Sequence, residues 1–307
     1  MFSLLLLLGA ICPTLGAVVP SVVRRDISPP LLEEFNRFSQ FAAASNCRAN
    51  HNETSPGSAV YCDSGFCNLV REDETQIIEG FWGISPGDTT GYLALDKTKK
   101  EIILVFRGTV SDENGQTDLQ FFHTDASAAC AGCKAHVGFW EASNAAIASL
   151  QPKVEKAAKQ NPGYKIVLVG HSLGGALATL GAVTLRNAGH VVDLYTFGAP
   201  SVGNLAFAEF ITQQTSGTNY RITHLNDEVP KVLYKAHRNL ILGILVPEYS
   251  QTSPEYWITS GNGVPVGVAD ITVVEGINNE AGNLGTMEVT MEPHGWYMGS
   301  MSVCAEI

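Results

Sequence analysis

The order of apolar and polar positions along the chain predicts strands and helices in alternation. Tyr164–Val169 is a short continuous apolar run, as expected of a strand that is covered on both faces. Leu173–Asn187 then predicts a helix that ends at Gly189, and Val191–Phe197 predicts a second strand. Strand–helix–strand alternation over one sheet predicts an α/β fold with right-handed crossovers.

Further elements flank this unit on both sides. The predicted segments are a helix at Leu31–Ala44, an antiparallel hairpin of Gly91–Leu95 and Glu101–Phe106, a helix at Trp140–Gln160, a helix at Asn204–Gln214 and a strand at Tyr220–Leu225. Pro152 lies inside the third segment and predicts a kink or an interruption there, because proline lacks the N–H that a helix uses. We see no linker that would divide the chain, so residues 26–307 are predicted to form one domain.

Composition narrows the class of protein. The 307 residues include 19 Lys+Arg and 30 Asp+Glu, which gives a formal net charge of −11. Nucleic acid is not expected as a partner, because phosphate binding needs clustered cations and none appear. Hydrophobic residues make up 45% of the chain, a value that excludes a disordered protein. We expect a soluble globular protein that is monomeric.

The start of the chain predicts export from the cell. The apolar run at residues 4–8 is too short to span a bilayer and is followed by small residues around Gly16 and Ala17. Residues 1–17 are therefore predicted to be a secretory signal. Arg24 and Arg25 stand in an otherwise uncharged stretch and predict a propeptide, residues 18–25, that is removed after this dibasic pair. The mature protein is expected outside the cell.

The cysteines agree with an exported protein. Six remain once the signal is removed, and an even number in a secreted chain predicts disulfides. Proximity along the chain favours the pairs Cys62–Cys67 and Cys130–Cys133. These leave Cys47–Cys304 as the third pair. Asn52 begins the single N-glycosylation sequence of the chain and predicts a surface loop.

The junction between the first predicted strand and its helix contains a candidate nucleophile. Gly170–Gly174 has the sequence G-x-S-x-G, and a serine on a strained strand-to-helix turn projects its hydroxyl toward a base. Ser172 is therefore the predicted nucleophile, and the backbone N–H of Leu173 can donate to a developing oxyanion. The same pattern occurs at Gly83–Gly87, but there a proline without an N–H follows the serine. Ser85 is predicted to be a turn residue.

A serine hydrolase of this type needs an acid and then a histidine, in that order along the chain. Asp227 follows the strand at Tyr220–Leu225, where catalytic groups gather at the C-terminal ends of strands, and it is the predicted acid. Glu228 is the alternative. His237 and His294 are the two histidines that follow, and spacing favours His294 because His237 lies in a basic segment typical of solvated surface.

At these motifs the chain resembles the filamentous-fungal secreted lipases of the class 3 lipase family. The segments that carry the resemblance are Gly170–Ala176, Phe106–Thr109, Tyr195–Pro200, Asn226–Pro230 and Ser253–Trp257. The resemblance implies an α/β-hydrolase fold with a mixed, mostly parallel central sheet flanked by helices. It also implies a triad of Ser172, Asp227 and His294, and it makes Thr109 the second oxyanion donor. The cysteine positions are similar to the three-disulfide frame of that family.

One segment differs from the family pattern. In typical family lipases an amphipathic lid helix follows the oxyanion donor, whereas residues 110–119 here contain three acids, a central glycine and no aromatic residue. This flap lacks an apolar face that could dock on lipid. The feruloyl esterase relatives of the fold are similar in their polar flap and in the threonine after Phe-Arg-Gly. Their elbow, however, departs from the Gly174–Ala176 sequence found here.

The leading hypothesis is a secreted serine carboxylic-ester hydrolase, a lipase that acts on acylglycerols through an acyl-enzyme. The mechanism calls for no cofactor and no metal. The expected partner is an ester substrate, and a lipid–water interface is one setting for it. The alternative is a feruloyl esterase type of aryl-ester hydrolase that acts on plant cell-wall esters. A third hypothesis, a secreted binding protein without catalysis, would predict a broken triad, and none of the proposed positions is broken.

Overall fold

The computed structural model describes residues 23–25, 27–52, 55–62, 65, 67–73, 75–109, 121–234, 247–288 and 290–304. The predicted signal at residues 1–17, the flap at residues 110–119 and His237 lie outside the described residues. Among the described residues, no helix is both long and apolar enough to cross a membrane.

The central layer is a sheet of nine strands. The strands of this sheet, in chain order, are β1 (Val23–Arg25), β2 (Gln76–Ile84), β3 (Thr89–Asp96), β4 (Glu101–Phe106), β7 (Lys165–His171), β8 (Val192–Phe197), β9 (Asn219–His224), β10 (Glu255–Ile258) and β11 (Ile271–Val274). Their order across the sheet is β1-β11-β10-β9-β8-β7-β4-β3-β2. A separate hairpin joins β5 (His123–Asp125) to β6 (Lys134–His136).

The middle of the sheet is parallel and its edges are antiparallel. Strands β4, β7, β8, β9 and β10 pair in parallel, whereas β2, β3, β11 and β1 pair antiparallel. The predicted hairpin is the pair β3 and β4, and the predicted mostly parallel sheet is confirmed. Because β7, β8 and β9 share one direction, the segments that follow them all leave the sheet at the same edge.

Five helices that lie wholly within the described residues accompany the sheet. They are α1 (Pro29–Ala44), α2 (Asn68–Glu72), α3 (Val137–Gln160), α4 (Leu173–Asn187) and α5 (Leu205–Gln213). Helix α3 continues through Pro152, so an interruption at this proline was the wrong prediction. Leu150 and Val154 on either side of the proline are fully buried, and this packing offsets the hydrogen bond that proline cannot make.

Helices cover both faces of the sheet. In β4, the side chains of Ile102, Leu104 and Phe106 belong to the apolar layer that α3 and α4 complete. The alternate residues Ile103 and Val105 belong to the opposite layer, which contains the aromatic side chains of α1. Successive strand residues point to opposite faces, which explains why the central strands are continuous apolar runs.

Three disulfides join the predicted cysteine pairs. They are Cys47–Cys304, Cys62–Cys67 and Cys130–Cys133. The first links residues 257 positions apart and ties the segment after α1 to the C-terminal end of the described chain. A link across so long a loop removes the most conformational freedom from the unfolded chain.

Candidate active site

Ser172 occupies a strained turn between β7 and α4. Its backbone has φ 57° and ψ −130°, and a positive φ is uncommon for a residue that has a side chain. The N–H of Ser172 donates to the carbonyl oxygen of Phe197 at 2.9 Å, which ties the turn to the end of β8. Ser172 therefore has the conformation and the position that the G-x-S-x-G pattern predicts for a nucleophile.

The glycines of this pattern let three backbone segments approach one another. A Cβ atom on Gly174 would overlap the carbonyl oxygen of Phe106, and one on Gly170 would overlap the carbonyl oxygen of Gly174. The first turn of α4 can therefore lie directly against the end of β4, where Gly108 and Thr109 follow. Larger residues at these two positions would push the turn away from the sheet.

Asp227 and His294 are in contact beside this turn. The Nδ1 atom of His294 lies 2.9 Å from Oδ2 of Asp227. Asp227 is fully buried, and its other carboxylate oxygen accepts from the backbone N–H of Val229 at 2.9 Å. The carboxylate of this pair belongs to Asp227 and not to Glu228. Because Asp227 contacts Nδ1, Nε2 is the ring nitrogen of His294 that can accept a proton from a hydroxyl.

The loop after β9 is held by an asparagine that the sequence did not single out. Asn283 donates to the carbonyl oxygens of Leu225 and Asp227 at 3.1 and 3.0 Å. Leu225 adopts a positive φ of 39°, so the chain turns sharply before the acid. These two hydrogen bonds fix the backbone from which the Asp227 side chain reaches His294.

Tyr297 and Gly198 complete the surroundings of the Asp227–His294 pair. The Tyr297 hydroxyl donates to Oδ2 of Asp227. A Cβ atom on Gly198 would lie 2.8 Å from the Tyr297 hydroxyl and 3.0 Å from both Asp227 Oδ2 and His294 Nδ1. Sequence reasoning missed both roles. The signal for Gly198 was present in the Tyr195–Pro200 segment, whereas nothing local marked Tyr297.

His171 lies against the other side of the His294 ring. Their ring centroids are 4.4 Å apart, and Nε2 of His171 lies 2.9 Å from the backbone oxygen of His294. A carbonyl oxygen only accepts, so Nε2 carries the proton in this contact. Burial, and then the neighbouring His294, lower the pKa of His171 well below its ordinary value. This ring is therefore a neutral wall of the site.

A cavity of about 490 Å³ opens at this edge of the sheet. Four of the predicted site residues line it, namely Ser172, His294, Thr109 and Leu173. Leu173 is the first residue of α4, where backbone N–H groups have no acceptor within the helix. The remaining lining is mostly apolar and includes Phe121, Phe139, Val229, Val232, Leu233, Met291 and Met301. The cavity thus combines polar groups at one point with a largely apolar wall.

Two other sequence features lie away from this cavity. Ser85 precedes Pro86 in the turn between β2 and β3, and it is exposed. Asn52 accepts backbone and side-chain hydrogen bonds from Ser55 through its carbonyl oxygen, while residues 53 and 54 of the glycosylation sequence lie outside the described residues. In the part of the chain that the structure describes, no group of three or more His, Cys, Asp or Glu side chains could hold a metal ion.

Comparison with known proteins identifies the family of this chain. Residues 103–237 match the family model of class 3 lipases. The chain is 38% identical over 289 residues to a secreted mono- and diacylglycerol lipase A of Penicillium cyclopium, an alignment that covers 92% of this chain and 90% of the relative. This chain therefore belongs to the class 3 lipase family.

Two further relatives show how closely the chain follows that family. A secreted mono- and diacylglycerol lipase 1 of Fusarium solani is 38% identical over 280 residues, covering 90% of this chain and 78% of the relative. The crystal structure of a mono- and diacylglycerol lipase from Aspergillus oryzae matches with a TM-score of 0.78 and 36% identity, covering 88% of this chain and 97% of that one. The predictions of an α/β-hydrolase fold, a secreted protein and a lipase are confirmed.

Proposed function

We propose that this lipase hydrolyses mono- and diacylglycerols, with Ser172, His294 and Asp227 as its catalytic triad. The main support for these three catalytic roles is the 2.9 Å contact between His294 and Asp227, beside a cavity that Ser172 also lines. The names of two relatives support the substrate class, because both are called mono- and diacylglycerol lipases.

The first half of the reaction uses these groups in sequence. Nε2 of His294 takes the proton of the Ser172 hydroxyl as its oxygen attacks the ester carbonyl. The buried carboxylate of Asp227 holds the ring in the tautomer with a proton on Nδ1 and stabilises the imidazolium that forms. Collapse of the tetrahedral intermediate transfers the proton to the departing glycerol oxygen and leaves an acyl group on Ser172.

The oxyanion of the intermediate needs donors that are already in place. The backbone N–H of Leu173 at the start of α4 is one, and Thr109 at the end of β4 supplies the second through its N–H and hydroxyl. Preorganised donors of this kind typically contribute about 3–4 kcal/mol each to the transition state. Water then attacks the acyl group by the same route with His294 as base, and the fatty acid leaves.

A substrate panel tests the assignment to acylglycerols. We expect monoolein and diolein to be hydrolysed faster than triolein, and all three far faster than phosphatidylcholine or methyl ferulate. The apolar wall of the cavity accommodates an acyl chain, and burial of each methylene contributes about 0.8 kcal/mol. Preferential cleavage of methyl ferulate would replace the acylglycerol proposal by the aryl-ester alternative.

A pair of carboxamide variants tests the role of the acid. Asp227→Asn keeps the shape of the side chain but removes the charge that stabilises the imidazolium, so kcat should fall by about four orders of magnitude. Glu228→Gln is the matched control, because Glu228 is the adjacent carboxylate and the ion pair of His294 is with Asp227. A larger loss in Glu228→Gln would assign the acid to that residue.

A further inference from the structure

The peptide carbonyls on both sides of His294 are each in contact with the ring of another histidine. The carbonyl oxygen of Pro293, which precedes His294, lies 3.1 Å from Nδ1 of His224. The carbonyl oxygen of His294 itself lies 2.9 Å from Nε2 of His171. The short turn Glu292–Gly295 is therefore held at two points. His171 lines the cavity, whereas His224 is the last residue of β9 and is fully buried.

The ring of His224 has a second carbonyl partner. Its Nε2 atom lies 2.8 Å from the backbone oxygen of Ser260, just after β10. A carbonyl oxygen only accepts, so each of these contacts needs an N–H on the ring nitrogen. A neutral imidazole has one N–H and would turn a lone pair toward the other oxygen. Both contacts are hydrogen bonds only if the ring is an imidazolium, with a proton on each nitrogen.

Another buried histidine has the opposite partners. His136 is also fully buried, and its Nδ1 atom accepts from the backbone N–H of Phe139 at 3.3 Å. A nitrogen that accepts carries no proton, so the His136 ring is neutral. Because His136 and His224 are equally buried, the difference between them lies in the groups that each ring contacts.

A carboxylate is joined to His224 through Tyr297. The rings of Tyr297 and His224 lie 5.8 Å apart, and the Tyr297 hydroxyl donates to Asp227. The backbone N–H of Asp227 also donates to the carbonyl oxygen of His224 at 2.9 Å. Asp227 is fully buried, and a buried cation is tolerated where an anion and hydrogen-bond acceptors accompany it.

The other titratable groups near this ring, within the described part of the chain, add no buried net charge. Arg221 of β9 and Glu255 of β10 form an ion pair at 3.5 Å. Arg221 lies three positions before His224, so their side chains point to opposite faces of the sheet. Glu292 is exposed to solvent, and His294 is uncharged in the form that accepts the serine proton. Asp227 is therefore the charge that favours an imidazolium at His224.

We propose that His224 is an imidazolium that positions the proposed base His294 by holding the carbonyls of Pro293 and Ser260 through its two ring N–H groups. The proposal rests on the proposed function, because it adds a positioning residue to the same triad. The Pro293 carbonyl belongs to the peptide bond that leads into His294. A shift of this carbonyl therefore moves the backbone from which the His294 ring reaches the Ser172 hydroxyl. Loss of one ring proton at higher pH releases one of the two carbonyls.

Nitrogen-15 NMR of the histidine rings tests the protonation state in the unmodified protein. Proton–nitrogen correlations across the ring distinguish an imidazolium from both neutral tautomers, and the contact with the Tyr297 ring assigns the His224 signals. We expect both ring nitrogens of His224 to carry protons at pH ~6, whereas Nδ1 of His136 carries none. A neutral His224 ring at this pH would overturn the proposal.

His224→Gln tests the positioning role, because glutamine offers a donor without a charge. At pH ~6 the kcat for a soluble ester should be about tenfold lower than in the unmodified protein, with KM little changed. The ratio of the two kcat values should approach one as the pH rises through the value at which the NMR signals show loss of a proton from His224. The reason is that the neutral ring also holds only one carbonyl. A ratio that stays constant across this pH range, at any value, would overturn the proposal.

His136→Gln is the matched control, since it replaces an equally buried histidine whose Nδ1 accepts. This variant should unfold at a lower urea concentration, and its kcat relative to the unmodified protein should not depend on pH. A pH-dependent ratio like that of His224→Gln would assign the effect to the loss of any buried histidine and overturn the proposal. Hydrolysis that survives Ser172→Ala would refute the triad but leave the NMR result for His224 valid, so the two failures are distinguishable.

Discussion

The Tyr297 hydroxyl donates to the same carboxylate oxygen of Asp227 that contacts Nδ1 of His294. The Asp227 carboxylate therefore has two partners on one oxygen, while its other oxygen accepts from the N–H of Val229. Burial, and then Asp227, raise the pKa of Tyr297 well above its ordinary value, so its hydroxyl keeps its proton and remains a donor at any working pH. Tyr297 thus restricts the orientation of the Asp227 carboxylate and does not give up its own proton.

Removing this hydroxyl should loosen the pair while leaving its members intact. Tyr297→Phe keeps the buried ring, and we expect kcat to fall about tenfold with KM little changed. The free energy of unfolding should fall by about 1.5–3 kcal/mol, the usual contribution of a hydrogen bond to a charged group. Steady-state kinetics and urea unfolding measure the two effects. Loss of stability with unchanged kcat would limit Tyr297 to a structural role.

Gly198 should be intolerant of even one added methyl group. Gly198→Ala places a Cβ atom 3.0 Å or less from the Tyr297 hydroxyl, Asp227 Oδ2 and His294 Nδ1, and it also strains a φ of 60°. We expect kcat to fall at least about a hundredfold, because small displacements of catalytic groups are this costly.

The matched control for Gly198 is Gly189→Ala. Gly189 also has a positive φ, of 95°, but nothing lies within 4 Å of its added Cβ atom. This variant should cost about 1 kcal/mol of stability and leave kcat unchanged. Similar kinetics for the two alanine variants would show that strain, and not contact with the triad, explains the effect at Gly198.

The two G-x-S-x-G sequences can be told apart by alanine substitution. Ser172→Ala should abolish ester hydrolysis, with a loss of several orders of magnitude in kcat, because only this serine is followed by a residue with an N–H for the oxyanion. Ser85→Ala should retain full activity, since Ser85 lies in an exposed turn before Pro86. Near-normal turnover by folded Ser172→Ala would refute the serine mechanism.

These cases show which parts of the site a sequence can specify. Ser172 and Asp227 follow the ends of β7 and β9, two parallel strands with β8 between them, and strand ends can be recognised from local apolar runs. Tyr297 lies 70 positions from Asp227, and its contact depends on how the C-terminal segment folds back. No local pattern encodes such a distance.

The fold shows the same limit. The central strands β4, β7 and β8 were predicted because both of their faces are buried, which makes their sequences apolar throughout. The strands β10 and β11 have only four residues each, too few for periodicity to separate them from loops. The continuity of α3 through Pro152 depends on its packing partners and not on its own sequence.

Stability should fall in mild acid through His51. Burial, and then the charges of Arg107 and Arg48, lower the pKa of His51 to about 4, and its ring nitrogens have no hydrogen-bond partner in the described structure. The unfolded chain protonates this residue near pH ~6.5. Between these two pKa values the unfolded state binds a proton that the folded state does not. The free energy of unfolding is therefore highest above the unfolded-state pKa and falls as the pH drops toward 4. The full loss is about 3 kcal/mol.

His51→Phe isolates this contribution. The ring of His51 packs 4.9 Å from that of Trp82, and phenylalanine keeps an aromatic ring there without a titrating group. The free energy of unfolding can be measured by urea unfolding at several pH values between 7 and 4. Its slope against pH should be smaller in the variant by about 1.4 kcal/mol per pH unit. Identical slopes would mean that His51 is protonated in the folded protein as readily as in the unfolded chain.

The sequence of the flap at residues 110–119 predicts weak interfacial activation. Interfacial activation requires that the open state of the enzyme bury more apolar area at the lipid surface than the closed state does. The flap offers only Val110 and Leu119 as aliphatic groups, about 3–6 kcal/mol even if both were fully buried. Its acids Asp112, Glu113 and Asp118 oppose that transfer.

We therefore expect that a lipid surface does not switch on the activity of this lipase. Soluble short-chain esters should be hydrolysed below their solubility limit, with no sharp rise in rate above it. Gly115→Trp adds a lipid-facing anchor to the flap and should raise activity on emulsified long-chain substrate relative to soluble ester. The measurement is rate against tributyrin concentration through saturation for both proteins. A steep rise at the emulsion point in the unmodified protein would show that the flap acts as a lid.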